Sequence, residues 1–238
     1  GPHIGALARH ASKLAVVRGM SMETLTHEVG RRRFLTGKAP SGLQARGSSA
    51  ATHLAAQLGR EAPIPNLAVR VEAFNVDQPS YATALSASGV PDLLRALAPE
   101  GEALDPAARG ALDRFLGRAA RCRRDRRSPV ARSAHASRVK AAEMVRSGLD
   151  EAFDFLADTP EMEALRDHYG IARRRSALAS YEARAALAAP AIKAGVTKVA
   201  SIEITGGLDT HFDEWSTDQG PRQERGFDLM ARLIEDLE

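Results

Sequence analysis

Hydrophobic residues recur with two different periods along the chain, and they predict strands and helices at both ends. Helical spacing of apolar residues predicts amphipathic helices over 3–14 and 27–35, and Gly37 is the expected end of the second. Between these two helices, the apolar run at 14–17 predicts a buried strand that leads into a loop. The N-terminal part of the chain therefore alternates helix, strand and helix.

The next part of the chain predicts one more helix and one more strand. Ser48 and Ser49 are candidate caps of a helix whose apolar face is expected to contain Ala51, Leu54, Ala55 and Leu58. Alternating apolar residues at 67–71 predict a strand, and the Ser-, Ala-, Gly- and Pro-rich stretch at 75–91 predicts an irregular loop.

A long helical block is predicted over about 92–192, with Pro106, Pro129 and Pro160 near its breaks. A strand is predicted within 196–205, and a final helix follows from Phe227. Short apolar strands separated by helices favour an α/β fold with a largely parallel sheet and a large helical middle segment. In such sheets, ligands bind beyond the carboxyl ends of the strands.

Composition and charge narrow the function classes only slightly. The 238 residues are 44% hydrophobic and 26% charged, with a formal net charge of +3, which is ordinary for a globular protein and too small to argue for nucleic acid. No run approaches the roughly 18 apolar residues of a membrane span, and no signal peptide is recognisable. Because the chain begins without Met and stops inside an amphipathic pattern, we expect it to be truncated at both ends.

A basic run over 118–140 is the strongest charge feature of the sequence. Eight arginines and one lysine there are opposed mainly by Asp125, and such a run could bind a polyanion. It lacks the interleaved aromatic residues that stack on nucleic-acid bases. A solvated helical hairpin with arginine-rich outer faces is therefore the favoured interpretation.

The strongest chemical signal is Gly-Gly-Leu-Asp-Thr-His at 206–211, directly after the predicted strand. In an extended segment, residues two apart point the same way, so Asp209 and His211 could converge on one point. A carboxylate and an imidazole suit Zn²⁺ or a similar divalent metal. The alternative is an Asp-capped turn followed by a surface histidine, and spacing alone favours that alternative.

The segment at 206–211 resembles the signature Gly-Gly-Trp-Asp-Thr-His of the domain-of-unknown-function family 1501, with Leu208 in place of tryptophan. The resemblance extends in order over the segments 14–20, 26–37, 180–204 and 226–238. The middle of the chain, about 100–175, carries no matching motif. The resemblance therefore implies that the chain, 1–238, is part of one alkaline-phosphatase- or sulfatase-like domain, with the helical, basic segment at about 92–192 inside it.

That resemblance implies a sheet flanked by helices and metal-dependent hydrolysis of phosphate or sulfate esters, with Asp209 and His211 as metal ligands. It places Thr26 near the superfamily's nucleophile, and His27 beside it could orient the substrate or contact the metal. A threonine hydroxyl becomes a useful nucleophile only when a base or metal removes its proton. The alternative role for Thr26 is a helix N-cap, and the two roles stay equally favoured.

Other implications of the resemblance concern what the chain lacks and where it acts. The family's upstream Asp and its downstream Ser-Glu-Phe-Gly-Arg and Asp-His-Gly segments do not occur in this sequence, so we expect no esterase activity from these residues alone.

The resemblance also implies export to the periplasm or cell surface, often by twin-arginine translocation. The alternative function is a non-catalytic exported scaffold, which Leu208 and the weakly nucleophilic Thr26 favour.

Overall fold

A three-stranded parallel sheet carries the core of the protein. The computed structural model describes residues 3–17, 22, 24–97, 105–121, 139, 151–211 and 215–238. Within them, the strands β1 (Leu67–Val69), β2 (Leu85–Ala87) and β3 (Ala200–Ile202) are arranged in the order β2-β1-β3. Leu67 is in register with Leu85 on one side and with Ala200 on the other. The structure therefore confirms the predicted α/β class and the parallel arrangement of the strands.

The described part of the chain contains seven α-helices. In chain order, α1 to α7 are His27–Thr36, Ala50–Leu58, Val90–Leu97, Pro106–Arg121, Pro160–Tyr169, Tyr181–Lys193 and Gly220–Leu237. Of these, α3 and α6 contact the sheet most closely. Short 3₁₀ helices cover Gly5–Lys13, Ser80–Ala82, Glu151–Phe153 and Arg175–Ala179, and a π-helical turn at Trp215–Gln219 precedes α7. Pro106 and Pro160 begin α4 and α5, as predicted, because proline suits the first turn of a helix.

Helix α6 packs its small side chains against the sheet. Ala185, Ala186 and Leu187 have no exposed surface and belong to the same core cluster as Leu67 and Val69. Alanine side chains let a helix approach a sheet closely, which explains the alanine-rich composition of this segment. The Ser180 hydroxyl accepts a hydrogen bond of 3.1 Å from the Ala183 amide and so caps the helix.

The predicted strand at 14–17 is wrong. Leu14 has extended backbone angles, but Val16 and Val17 are 73% and 77% exposed. These residues lie in none of the described strands, and an apolar run without a partner strand cannot form a ladder. Conversely, β2 lies inside the predicted loop at 75–91. Its three residues, Leu-Ser-Ala, are too short and too mixed to produce a strand signal.

The two serines before α2 have a different role from the predicted capping. Ser49 is the N-cap residue, but its hydroxyl accepts from the Phe74 amide at 2.9 Å. Ser48 donates to Asp77 at 2.6 Å, and this hydrogen bond holds the pKa of the Asp77 carboxyl below its usual value. Both serines therefore anchor the loop after β1.

The predicted apolar face of α2 is also partly wrong. Leu54 and Leu58 are 53% and 60% exposed, whereas Thr52 and Ala55 are fully buried. Small side chains face the core here because the helix lies close to the Ser80–Ala82 turn.

The N-terminal segment packs along α7. Its helix is of the 3₁₀ type, with Leu7 buried, and the Ala6 amide donates to the Asp228 carboxylate at 2.9 Å. The helical middle is present as α3 to α6, but most of the basic run at 118–140, with Pro129, lies outside the described residues. No described helix is both long enough and apolar enough to cross a bilayer.

Candidate functional site

The loop that follows β3 is fixed by the beginning of α7. The Thr205 hydroxyl donates to the Arg222 carbonyl at 3.0 Å, and the Gln219 side-chain amide donates to the Leu208 carbonyl at 2.6 Å. The Arg222 guanidinium also donates to the Gly207 carbonyl. These contacts hold the backbone immediately before Asp209.

Both glycines of the motif lie in close contact with the ends of neighbouring side chains. A side chain at 206 would overlap the Tyr181 hydroxyl, and one at 207 would overlap the Arg222 guanidinium. Gly207 also has φ of +65°, a conformation that favours glycine. The glycine pair therefore lets the loop run tightly between α6 and α7 before it presents the acidic residue.

His27 is presented by the first turn of α1. This helix begins after Thr26, whose backbone is extended (φ −125°, ψ 140°), and ends at the left-handed Gly37, as predicted. The Gly37 amide donates to the Arg33 carbonyl at 2.8 Å, and Glu28 lies in the first turn, where the helix dipole favours an acidic residue. His27 thus extends from a well-defined helix end.

The structure brings three of the four predicted site residues together. His27 Nε2 lies 3.3 Å from Asp209 Oδ2, and His211 Nε2 lies 3.2 Å from Asp209 Oδ1. One carboxylate is therefore shared by two imidazoles, one from near each end of the chain. We call these three residues the histidine–aspartate cluster.

The cluster lies at the surface. The side chains of His27, Asp209 and His211 are 72%, 55% and 73% exposed. Exposed ion pairs contribute only about 0–1 kcal/mol to stability, so stability alone does not explain three such groups in contact. Among the described residues no backbone amide of Thr210 or His211 donates to this carboxylate, so the Asp-capped turn does not form, whereas His211 is a surface histidine, as that alternative predicted.

Thr26 lines a cavity next to the cluster. The cavity has a volume of about 660 Å³, and its lining includes Leu25, Thr26, His27, Arg31, Phe34 and Leu208. Although Thr26 occupies the N-cap position, its side chain makes no capping hydrogen bond. The threonine hydroxyl is therefore not held by the helix end, as it would be in the capping role.

The donor types of the cluster fit a divalent metal, and their present arrangement is that of ion pairs. Two imidazole nitrogens and a carboxylate are ligands that Zn²⁺ prefers. In the part of the chain that the structure describes, no group of three or more His, Cys, Asp or Glu side chains is arranged to hold a metal ion. Here the imidazoles point at opposite oxygens of Asp209, so a metal would have to replace these direct contacts.

The sequence analysis did not identify the residues of α1 that line the cavity at Thr26. Gly30, Arg31 and Phe34 follow His27 at three, four and seven positions, which places them on one helix face. That spacing is the signal that could have revealed the lining. Trp215, at the start of the π-helical turn before α7, is 63% exposed and does not line this cavity.

A scan against models of known protein families finds no match, and searches of curated proteins and of solved structures find none either.

Proposed function

We propose that the histidine–aspartate cluster is a divalent-metal site, with Zn²⁺ as the best match, in an exported protein of the alkaline-phosphatase- or sulfatase-like type that hydrolyses phosphate or sulfate esters. The observation that carries this proposal is the contact of both His27 and His211 with Asp209. The sequence resemblance to family 1501 supports the reaction class and the finer alkaline-phosphatase-like fold.

The chemistry assigns a different task to each side chain. A bound divalent cation would stabilise negative charge on an ester oxygen and lower the pKa of a nearby hydroxyl. Thr26 is the nucleophile: its Oγ1 forms the new bond to phosphorus or sulfur as the bond to the leaving alcohol breaks. Because His27 holds the metal in this proposal, the Thr26 proton passes to solvent water, and a solvent water protonates the leaving oxygen. Water then attacks the same phosphorus or sulfur, breaks the bond to Oγ1 and restores the hydroxyl.

A zinc titration followed by calorimetry tests the metal site on this chain. We expect wild type to bind one Zn²⁺, and Asp209→Ala and His211→Ala to weaken binding at least about tenfold, as loss of a ligand does. His53→Ala is the matched control, because His53 is an exposed histidine on α2. Equal zinc affinity in wild type and the cluster variants would contradict the proposal.

Ester hydrolysis is tested separately from metal binding. The resemblance assigns further ligands to segments that this sequence does not contain, so we expect aryl phosphate or aryl sulfate hydrolysis only from a polypeptide that supplies them. Turnover by residues 1–238 alone, abolished by Thr26→Val, would show that those segments are unnecessary.

A non-catalytic exported scaffold is the second candidate function. It is favoured by the exposure of the cluster and by the ion-pair arrangement of its three side chains. It predicts that zinc binds no more tightly to wild type than to Asp209→Ala. The same titration therefore separates the two candidates.

A further inference from the structure

A second cavity lies at the carboxyl edge of the sheet. It has a volume of about 600 Å³, and its lining includes Arg31, Arg70, Glu72, Ser88, Asp92 and Glu203. Arg70, Ser88 and Glu203 are the residues that directly follow β1, β2 and β3. This is the edge at which parallel sheets bind their ligands. We call this cavity the strand-end cleft.

Arg70 lines the strand-end cleft in a strained backbone conformation. Its φ is +60°, and it is the one non-glycine residue with positive φ in the described chain. Its amide still donates to the Ala87 carbonyl at 2.9 Å, so the sheet ladder continues to this point. A side chain in this conformation costs about 1–3 kcal/mol, and such strain is concentrated at functional sites. Glycine would avoid the cost but would lack the guanidinium.

Two carboxylates at the cleft are each shared by two guanidiniums. Glu72 contacts Arg31 Nε at 2.7 Å and Arg32 Nη2 at 3.3 Å. The Glu72 carboxylate carries one negative charge and the two guanidiniums carry two positive charges, so these three side chains together keep one net positive charge.

Glu203 repeats this pattern on the other side of β1. It lies 3.5 Å from Arg70 Nε and 3.6 Å from Arg184 Nη1. The remaining acid of the lining, Asp92, is paired with Arg95 at 3.0 Å and also accepts from the Ser88 amide. The charge of Asp92 is thus already balanced. The four arginines and two glutamates keep an excess of two positive charges, but Arg32 and Arg184 lie outside the lining, which itself holds two arginines and three acidic residues.

Several guanidinium nitrogens behind the cleft have no hydrogen-bond partner. Among the described residues, Nε of Arg32 and both Nε and Nη1 of Arg184 are buried without one. Arg184 is only 9% exposed and is held by the Ala179 carbonyl and the Tyr181 ring. Glu72 and Glu203 balance the charges of Arg32 and Arg184, but these buried donors still lack hydrogen bonds, which is costly.

We infer that the strand-end cleft binds a small molecule through an oxyanion group, such as phosphate, sulfate or carboxylate. Arg31 and Arg70 would donate to the oxyanion directly, since guanidinium forks match the geometry of these groups. Arg32 and Arg184, which pair with Glu72 and Glu203, would partly neutralise these carboxylates and so reduce their repulsion of the oxyanion. This binding is independent of the metal proposed at the histidine–aspartate cluster.

Calorimetric titration with inorganic phosphate tests this inference, with sulfate and acetate as comparison anions. We expect wild type to bind phosphate, and Arg70→Gly and Arg31→Gln each to weaken binding by about tenfold or more, as loss of a charged hydrogen bond does. Because glycine suits a positive φ, Arg70→Gly should keep the wild-type melting temperature without ligand. The control Arg9→Gln removes an exposed arginine that pairs with Glu235 and should leave binding unchanged.

A further variant separates the cleft from the histidine–aspartate cluster. His211→Ala should retain wild-type phosphate affinity, because His211 does not line the cleft. The inference is overturned if wild type binds none of the three anions. It is also overturned if phosphate affinity survives Arg70→Gly and Arg31→Gln, or is lost in His211→Ala instead.

Discussion

Two structural features favour glycine at position 207, and a matched pair of variants distinguishes their effects on stability. Its φ of +65° disfavours any side chain, and the Arg222 guanidinium occupies the space of a Cβ atom. Gly37 has a nearly identical φ of +67°, but nothing lies within 4 Å of its Cβ position. Gly37→Ala therefore measures the backbone strain alone.

We expect Gly37→Ala to lower the free energy of unfolding by about 1–2 kcal/mol and Gly207→Ala to lower it further, because Arg222 must move. Urea unfolding of the two variants and wild type provides the comparison. If Gly207→Ala costs no more than Gly37→Ala, the Arg222 contact does not fix this loop.

At the residue scale, the sequence contained part of the candidate site. The spacing of two residues allowed Asp209 and His211 to converge, although spacing alone favoured an Asp-capped turn; in the structure the two side chains form an ion pair. The contact of Asp209 with His27 could not be derived from local pattern, because it depends on how α1 packs relative to the loop after β3. The strand-end arginines gave no signal either, since residues such as Arg70 and Arg184 look like ordinary surface charges in sequence.

At the element scale, the contact between α5 and α7 depends on a buried tyrosine. Tyr169 is fully buried, and its hydroxyl donates to Asp236 at 3.1 Å. Burial, with the nearby Asp236 charge, raises the pKa of Tyr169 far above its ordinary value. The folded state therefore holds the tyrosine proton more tightly than the unfolded state does.

Because the pKa of Tyr169 is higher in the folded state than in the unfolded state, its protonated hydroxyl stabilises the fold. This stabilisation is fully present below the unfolded pKa of about 10 and is lost as the pH rises above that value. We expect Tyr169→Phe to lower stability by about 1 kcal/mol at neutral pH and to show a shallower loss of stability above pH 10. Urea unfolding at several pH values measures both effects. Parallel alkaline curves for the two proteins would contradict this account of Tyr169.

Elements with strong local signals could be predicted, and short strands could not. Helix α1 begins and ends almost as predicted because Gly37 stops it in a left-handed conformation. The three residues of β2 have no periodicity to detect, and they form a strand only because β1 lies beside them. The exposed apolar residues at 14–17 show the opposite case, a strand signal without a partner.

At the scale of the whole molecule, the α/β class could be predicted because apolar strands and amphipathic helices alternate along the chain. The size and order of the sheet could not, since they depend on which short segments pair. Helix α1 connects the two proposed sites, because Arg31 lines both the cavity at Thr26 and the strand-end cleft. Arg31 therefore lies between the two proposed sites.

The most direct test of the central claim is the zinc K-edge X-ray absorption fine structure of the zinc-loaded chain. The account predicts a first shell with two imidazole nitrogens at about 2.0–2.1 Å and carboxylate oxygen at about 2.0–2.2 Å. The imidazole signal should be half of the wild-type signal in each of the single variants His27→Ala and His211→Ala, and unchanged in His53→Ala. A shell without imidazole, or one that is identical in all four proteins, would contradict the metal site at Asp209.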